Sequence, residues 1–240
     1  MSKVALVTGG TRGIGEAISE KLNSDGFSVV ANYSSNDEAA QKFAKKTGIE
    51  VSKWDVSSFE SCQKGVNEIF EKYQQIDVLV NNAGITRDAP FHKMSLENWK
   101  KVIDVNLNSI FNITSQVINK MRENNFGRII HISSVNGQKG QFGQTNYSAT
   151  KSALIGFSKS LALEGAAKNI TSNVISPGYI NTEMVAAIRE DILKSIIETI
   201  PAKRLGHSIE IAEMVSYLAS DKASYINGAT LSVNGGLWMD

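Results

Sequence analysis

The sequence predicts an α/β fold in which seven strands form one parallel, doubly wound sheet with helices on both faces. Seven short segments with the character of strands alternate with segments that read as helices. A glycine-rich turn, residues 9–15, directly follows the first of these strand segments. The chain has 240 residues, of which 42% are hydrophobic. This length and composition predict a single domain, residues 1–240, with a sizeable core.

The predicted elements cover most of the chain in a regular alternation. The strands are predicted at residues 3–8, 28–33, 49–54, 76–80, 128–133, 170–176 and 229–233. The helices are predicted from the glycine turn to about residue 25, after residue 37, and at residues 59–73, 96–121, 147–167 and 208–219. We expect Asp37 to cap the second helix and Ser208 to begin the last one.

Composition and charge exclude several classes of protein. The net charge is +1 with no basic run, so nothing indicates binding to nucleic acid. The single cysteine, Cys62, excludes an internal disulfide and suits a reducing compartment. The three histidines are scattered without metal-ligand spacing, so no metal site is expected. Because no apolar stretch approaches the roughly 20 residues of a membrane span, we expect a cytoplasmic protein that does not bind membranes.

The turn at residues 9–15 is a candidate phosphate-binding loop. Glycines let the backbone approach a pyrophosphate closely, and the following helix offers amide donors and the positive end of its dipole. The spacing is Gly-x-x-x-Gly-x-Gly rather than Gly-x-Gly-x-x-Gly. Its position after the first strand favours a dinucleotide site over the alternative, an ordinary tight turn.

The end of the second strand indicates which dinucleotide would bind. An acidic residue there would bind the ribose 2′-hydroxyl of NAD, but no carboxylate precedes Asp37. Instead the segment carries amide and hydroxyl groups, including those of Asn32 and Ser34. With Arg12 in the glycine loop, these donors suit a 2′-phosphate, so we expect NADP(H). The alternative for Arg12 is a solvated loop charge.

The segment from residue 128 to residue 162 carries the candidate catalytic groups. Tyr147 and Lys151 are four residues apart and therefore share one helix face. An ammonium beside a phenol favours the phenolate and lowers a pKa that is ordinarily about 10. Ser134, at the end of a strand, adds a hydroxyl that can donate to a carbonyl oxygen. Together these groups suit proton transfer to a ketone or from an alcohol; the alternative is a surface helix with a solvated lysine.

Two further segments predict larger features. The helices at residues 96–121 and 147–167 have broad apolar faces, which indicate contact with another subunit or packing within one chain. Residues 182–200 form an amphipathic segment ended by Pro201, with no strand beside which to pack. We interpret the region at about residues 182–206 as a mobile lid over the site.

These motifs resemble the short-chain dehydrogenase/reductase family from end to end. The segments that carry the resemblance are Thr8–Gly15, Asn81–Gly84, Asp104–Asn106, Ser134, Tyr147 with Lys151, and Pro177–Gly178. Their order and spacing match the family. The resemblance implies a Rossmann-like fold and a nicotinamide cofactor. We expect a homo-oligomer and favour a tetramer, although the sequence leaves a dimer open.

The resemblance also implies a catalytic tetrad. Tyr147 would be the general acid in reduction, and Ser134 would orient the carbonyl. Lys151 would lower the pKa of the tyrosine and bind the nicotinamide ribose. Asn106 would hold a water that links the lysine to solvent protons. Without the resemblance, Asn106 would be interpreted as a helix-interior amide with local hydrogen bonds.

The expected cofactor contacts combine the glycine loop with residues implied by the resemblance. Asp55 and Val56 would contact adenine, Asn82 the adenosine side, and Ile180 with Thr182 the carboxamide. Asp55 could instead cap the helix at residue 59. The complete predicted set is Gly9, Thr11, Arg12, Gly13, Ile14, Gly15, Asn32, Ser34, Asp55, Val56, Asn82, Ala83, Gly84, Tyr147, Lys151, Pro177, Gly178, Ile180 and Thr182.

Within the family, the closest pattern is that of reductases acting on 3-oxoacyl thioesters. Residues 135–147 and 176–180 resemble enzymes that reduce acetoacetyl-CoA to an (R)-3-hydroxyacyl product in polyhydroxybutyrate synthesis. Phe142 and Tyr179 could bracket a short acyl group. The implied substrate residues are Asp88, Lys93, Ser134, Gln141, Phe142, Gln144, Tyr147 and Tyr179, for which the alternatives are loop packing and solvated polar loops.

Two alternatives remain open at this stage. Residues 85–88, 202–206 and 233–236 resemble the 3-oxoacyl-carrier-protein reductases of fatty-acid synthesis. Residues 123–126, however, lack the basic side chains that would meet an acidic carrier, which favours CoA. A protein of another class, a catalytically silent sensor that binds NADP, predicts a broken tetrad, whereas all four residues are present.

Overall fold

The sheet contains the seven strands that the sequence predicts. The computed structural model describes residues 2–186 and 189–239, and its strands are all parallel, in the order β3-β2-β1-β4-β5-β6-β7. Their bounds are Val4–Val7 (β1), Ser28–Tyr33 (β2), Glu50–Lys53 (β3), Val78–Asn81 (β4), Gly127–Ile132 (β5), Ile170–Pro177 (β6) and Thr230–Val233 (β7). The doubly wound α/β prediction is therefore confirmed, and the strand order reverses between β1 and β4, where such sheets bind ligands.

Helices connect these strands and cover both faces of the sheet. Their bounds are Gly13–Ser24 (α1), Asp37–Thr47 (α2), Phe59–Tyr73 (α3), Leu96–Ile103 (α4), Ser109–Asn124 (α5), Val135–Lys139 (α6), Thr145–Gly165 (α7), Glu183–Ala186 (α8), Glu190–Thr199 (α9) and Ser208–Ala219 (α10). Short 3₁₀ turns lie at Phe91–Lys93, Ala166–Lys168 and Asp221–Ala223.

Strand β1 shows how the sequence supplies a core on each face. Successive side chains of a strand point to opposite faces, so Ala5 and Val7 pack with α1 and α10 while Val4 and Leu6 pack with α3 and α5. All four residues are buried. Such continuous burial, without a polar alternate residue, is typical of a parallel strand covered on both sides.

The long helix predicted at residues 96–121 is interrupted. Helix α4 ends at Ile103, and a π-helical turn, Asp104–Asn108, precedes α5. Single π turns are often found at functional sites because the extra residue rotates the following side chains. Here the turn contains Asn106, which is fully buried. Apolar periodicity predicted the helical segment but not this local change in winding.

Two of the helix caps considered above need correction. Asn36, not Asp37, caps α2, because its side chain accepts a hydrogen bond from the Ala39 N–H at 3.0 Å. Ser58, not Asp55, caps α3 through the N–H of Ser61. Helix α10 begins at Ser208, as predicted, with His207 at the capping position before it.

The predicted lid region contains α8 and α9. Its residues 187 and 188 lie outside the described residues. The ends of the region are joined by backbone hydrogen bonds, from the Asn181 N–H to the Gly206 carbonyl at 2.8 Å and from the Gly206 N–H to the Tyr179 carbonyl at 2.9 Å. Among the described residues, no helix is long and apolar enough to cross a membrane.

Candidate active site

Ser134, Tyr147 and Lys151 are brought together at the carboxyl end of β5. Ser134 follows the strand and caps α6, where its hydroxyl accepts the Asn136 N–H at 3.1 Å. Tyr147 and Lys151 lie one helical turn apart on α7. The Lys151 Nζ lies 5.6 Å from the centroid of the Tyr147 ring, and Ser134 interacts with the phenol. The predicted constellation therefore forms in the structure.

Lys151 is fixed at both its main chain and its side chain. Its Nζ donates to the Ile132 carbonyl at 2.8 Å, and its carbonyl accepts from the Ser133 hydroxyl at 2.8 Å. Because the side chain is almost completely buried, desolvation lowers the pKa of Lys151 to about 8. The lysine therefore changes charge close to neutral pH.

The pKa of Tyr147 differs from the sequence-based expectation. Burial raises it to about 12, the Ser134 interaction opposes this, and the negative charge of Asp88 raises it further. The opposing effect comes from Ser134 and not from the lysine, whose ammonium donates to the Ile132 carbonyl instead. A phenol with this pKa is protonated at neutral pH, which is the form that a proton donor needs.

Asn106 is held by contacts that are distant in sequence, not local ones. Its Oδ1 accepts the Ile85 N–H at 2.8 Å, and its Nδ2 donates to the Ile85 carbonyl at 2.9 Å and the Thr150 hydroxyl at 3.4 Å. The side chain thus joins the π-helical turn to the segment after β4 and to α7. Because these bonds occupy the amide, its direct structural role is to position Ile85.

Gly84 lies between Asn106 and Lys151. A Cβ built on this glycine would lie 3.4 Å from the Lys151 Nζ and 3.5 Å from the Asn106 Oδ1. The predicted tetrad and the segment Asn81–Gly84 therefore meet at one place. A side chain at residue 84 would crowd the lysine ammonium.

The glycine loop is attached to the end of β4. The Thr8 hydroxyl accepts the N–H groups of Asn82 and Ala83, both at 3.0 Å. The Asn82 amide donates to the carbonyls of Thr8 at 2.9 Å and Gly9 at 3.2 Å. Consequently, Asn82, which we predicted as an adenosine contact, also fixes the shape of the loop.

The described residues fit a dinucleotide at this loop. Gly9 and Gly13 have φ values of +60° and +57°, which favour glycine. A Cβ on Gly15 would lie 2.0 Å from the Gly9 carbonyl oxygen, so close packing requires glycine there. A Cβ on Gly13 would be in ordinary contact with the Thr182 side chain, at 3.8 Å, so the start of α1 lies close to the start of the lid region. The N-terminus of a helix that follows such a glycine loop suits a pyrophosphate.

The predicted 2′-phosphate contacts divide into two kinds. Asn32 is buried, and its Nδ2 donates to the Trp54 carbonyl at 3.0 Å, so its amide donors point into the protein. We therefore correct its predicted role from phosphate donor to a link between β2 and the end of β3. Ser34 and Arg12 are exposed, and their side chains form no hydrogen bond or ion pair with any residue that the structure describes.

The remaining cofactor candidates are near the same sheet edge. The Asp55 carboxylate accepts from the N–H and hydroxyl of Ser57, at 2.9 and 2.7 Å. Val56 is buried, and its carbonyl accepts from Asn112 at 3.1 Å. After β6, Gly178 is packed against Asn234 and Ile180 is buried. Thr11 and Ile14 lie at the start of α1, and Thr182 lies at the start of the lid region.

Several predicted substrate residues lie on two loops next to Tyr147, the loop after β4 that contains Asp88 and the loop before α7 that contains Gln144. We call these two loops the rim. Gln144 donates to the Asp88 carboxylate at 2.8 Å, and the Ala89 N–H donates to the Gly143 carbonyl at 2.9 Å. These bonds join the loop after β4 to the loop before α7. Phe142 is 85% exposed on this rim. Lys93 and Gln141 are also exposed, so the structure brings only part of the predicted set into contact.

Burial also affects Tyr179, the predicted residue on the β6 side of the rim. Burial raises the pKa of the Tyr179 phenol, and the negative charge of Asp88 raises it further. The Asn136 amide has the opposite effect and lowers this pKa. Tyr179 is thus close to the same loops as Gln144.

Several residues that support the site were absent from the prediction. Thr8 and Ser133 fix the glycine loop and Lys151, and Asn146 joins α7 to the Arg87 carbonyl at 3.1 Å. Asn136 contacts Gln144 at 3.0 Å. Each is a polar residue beside a predicted site residue, but its partner is distant in sequence. The only sequence signal for these supporting residues was their position beside Gly9, Ser134 and Tyr147.

Comparison with known proteins gives consistent matches. Residues 9–238 match a family described as enoyl-(acyl carrier protein) reductase. The chain is 57% identical to the acetoacetyl-CoA reductase of Shinella zoogloeoides and 55% identical to that of Rhizobium meliloti (strain 1021), each over 98% of both chains. It is 46% identical to a 3-oxoacyl-[acyl-carrier-protein] reductase of Aquifex aeolicus (strain VF5), over 98% of this chain and 97% of that protein.

The chain belongs to the short-chain dehydrogenase/reductase family. Membership confirms the resemblance and implies a nicotinamide cofactor for the glycine loop. In this short-chain dehydrogenase/reductase, the described residues contain no group of three histidine, cysteine, aspartate or glutamate side chains placed to hold a metal ion.

Proposed function

We propose that this protein catalyses the NADPH-dependent reduction of acetoacetyl-CoA to an (R)-3-hydroxyacyl thioester. The observation that carries the proposal is the meeting of Ser134, Tyr147 and Lys151 beside the glycine loop. The similarity to two acetoacetyl-CoA reductases, over nearly the whole of each chain, supports the choice of substrate.

In this proposal the protein supplies the proton and the cofactor supplies the hydride. The nicotinamide cofactor, when bound, provides the hydride that the C3 carbon of the ketone receives. Tyr147 donates its phenolic proton to the C3 oxygen. The Ser134 oxygen accepts the Asn136 N–H, and its own proton, which interacts with the Tyr147 phenol, would turn to the ketone oxygen when the substrate binds. Lys151 places a cationic donor beneath the tyrosine ring and near the proposed ribose position.

The proposed preference for NADPH rests on two charges. Arg12 is exposed at the glycine loop, next to the start of α1. Asp37, the nearest carboxylate after β2, is held by Lys53 at 2.7 Å and by the Tyr33 hydroxyl at 3.0 Å. This carboxylate is therefore not free to bind a ribose hydroxyl, whereas the arginine is free to meet a 2′-phosphate.

The proposed acyl pocket lies between the rim and Tyr179. Asp88 and Gln144 form a hydrogen-bonded wall, and the exposed ring of Phe142 stands at the entrance. A short acetoacetyl group suits the space between the two aromatic rings better than a long chain. We propose that the lid region, residues 182–206, closes on this side, with its joined ends at Asn181 and Gly206 as the fixed base.

The decisive experiment is a paired substrate assay. Values of kcat/KM should be measured for acetoacetyl-CoA and acetoacetyl-carrier protein with NADPH, following the absorbance of the reduced nicotinamide. We expect turnover of acetoacetyl-CoA at least as efficient as that of the carrier form. A preference for the carrier form above about tenfold, roughly 1.4 kcal/mol of transition-state binding, would reverse the assignment.

The second candidate function is the reduction of 3-oxoacyl-carrier proteins in fatty-acid synthesis. The specific observation that favours it is the 46% identity to such a reductase over almost the same length. The same paired assay separates the two candidates. Absence of turnover with either thioester would favour the third candidate, a silent protein that binds NADP.

We further propose a cytoplasmic homo-oligomer, a tetramer rather than a dimer. Large apolar side chains remain exposed on the two long helices, with Phe111 on α5 at 60% and Leu163 on α7 at 84% exposed. Burial of these faces against another copy would remove apolar surface from water. Sedimentation equilibrium measures the mass directly, and a monomeric mass would contradict the proposal.

A further inference from the structure

Asn136 occupies a central position that the proposed reaction does not yet explain. It is the second residue of α6, and its side chain is 8% exposed. Its main-chain N–H donates to the Ser134 hydroxyl at 3.1 Å. Its side-chain Nδ2 donates to the Gln144 Oε1 at 3.0 Å. One residue therefore contacts both a catalytic hydroxyl and the wall of the proposed acyl pocket.

The contact with Gln144 completes a chain of hydrogen bonds across the rim. The Gln144 Nε2 donates to the Asp88 Oδ2 at 2.8 Å, while its Oε1 accepts from Asn136. Both ends of the glutamine amide are thus occupied, which fixes the amide orientation as well as the rotamer. A glutamine with free torsions would have to be ordered when a substrate binds, at a cost in affinity.

Asn136 also carries a polar atom that purely structural packing does not explain. Its Oδ1 is buried without a hydrogen-bond partner among the described residues. A buried acceptor without a partner destabilises the folded state, and such violations of local rules are expected near functional sites. The Asn136 amide also lowers the pKa of the nearby Tyr179 phenol. The Asn136 side chain therefore lies next to Tyr179, which is on the opposite side of the proposed pocket from Gln144.

We propose that Asn136 is a positioning residue that holds Gln144, and with it the Asp88 wall, in the orientation that receives the thioester substrate. This inference rests on the proposed function, because it concerns the acyl side of that reaction. The residue acts through Gln144 and not on the reacting atoms. Its removal should therefore affect the binding of the thioester rather than the chemical step or the cofactor.

The test is a double-mutant cycle with steady-state kinetics. Asn136→Ala should raise the KM for acetoacetyl-CoA about tenfold, with kcat changed less than about threefold and the KM for NADPH unchanged. In a Gln144→Ala background, the same substitution should change that KM less than about twofold, because the contact is already absent. The matched control is Gln138→Ala on the same helix, whose amide donates to the Ser232 hydroxyl on β7 at 3.0 Å.

The outcomes distinguish this inference from the proposed function. Equal losses in kcat and in NADPH affinity would show a general structural role and overturn the inference. Full multiplication of the two effects in the cycle would show that Asn136 acts independently of Gln144, which would also overturn it. An unchanged KM in Asn136→Ala would overturn it as well, while leaving the proposed function intact. A wild-type protein without thioester turnover would remove the proposed function and this inference together. If Asn136→Ala does not fold, Asn136→Ser serves instead, because its short hydroxyl cannot reach Gln144.

Discussion

The proposed catalytic centre and the proposed phosphate edge lie at the same end of the sheet but are held very differently. Around Lys151, main-chain and side-chain groups are joined by short hydrogen bonds to β5 and the loop after it. At the phosphate edge, the side chains of Arg12 and Ser34 face solvent and form no such bond with any described residue. Reacting groups need a fixed geometry before the substrate arrives. A side chain that selects a ligand by charge can be ordered by the ligand itself, so it needs fewer hydrogen bonds within the protein.

The largest expected effect comes from removing the proton donor of the fixed region. Tyr147→Phe keeps the ring near Lys151 but has no phenolic proton, so kcat should fall by about 10² to 10⁴. Binding of NADPH, measured by fluorescence titration, should be retained. Unchanged turnover would exclude Tyr147 as the donor. Tyr73→Phe, on α3, is a control phenol away from the site.

At the solvent-exposed edge, Arg12→Ala should change selectivity without changing chemistry. Loss of a charge-assisted contact, about 1.5–3 kcal/mol, corresponds to a KM for NADPH roughly ten- to a hundredfold higher. The KM for NADH should change little. Arg122→Ala removes an exposed arginine that contacts Glu164 instead, and it should affect neither cofactor. Equal losses for both cofactors in Arg12→Ala would contradict a phosphate contact.

The fixed region should also show a pH-dependent stability. Burial lowers the pKa of Lys151 to about 8 from an ordinary value of 10.5. Between these two values the unfolded chain binds more protons than the folded one, so this lysine makes the folded state more stable as the pH rises. Relative to Lys151→Met, the wild type should gain roughly 1–2 kcal/mol in unfolding free energy between about pH 7.5 and 9.5.

Denaturant titration of both proteins at several pH values measures this difference. Lys159→Met, farther along α7, removes a lysine whose side chain is exposed and serves as the control. A constant difference between wild type and Lys151→Met over the whole range would mean that the folded-state pKa is not lowered. Such a result would weaken the contrast between the two regions.

The smallest effect concerns a residue at the edge that has a structural task. Asn36 lies two residues after Ser34, but its side chain caps α2 through the Ala39 N–H. Asn36→Ala should reduce the unfolding free energy by about 1 kcal/mol, as expected for a lost cap. The ratio of KM values for NADPH and NADH should stay constant. Asn36→Ser, which also caps helices well, should retain most of the stability, and a changed cofactor ratio in either variant would assign Asn36 to the phosphate contacts.

The sequence could predict the elements because their signals are local. The apolar run of β1 and the helical spacing of residues 59–73 each lie within one segment. Glycine spacing and the Tyr147–Lys151 interval likewise require only neighbouring residues and one helical turn. The caps were less accurate, as Asn36 and Ser58 show, because nearby polar residues compete for the same position.

The rest of the site depends on partners that are far apart in the chain. Asn32 has the residue type of a phosphate donor, but the Trp54 carbonyl accepts its amide and removes it from that role. The π-helical turn at Asn106 forms where its amide meets Ile85. Lys151 was expected to lower the pKa of Tyr147, whereas its ammonium donates to the Ile132 carbonyl and burial raises that pKa to about 12.

By itself, the sequence determined the parallel sheet, the order of its elements and the chemical identity of the proposed catalytic groups. Local periodicity, turn chemistry and side-chain type specify these features. Only the tertiary structure decided which polar groups remain free to meet a ligand, as with Arg12, and which are already occupied, as with Asn32. Burial and distant hydrogen-bond partners set the availability and the pKa of each group, and both arise only when the strands and helices have packed together.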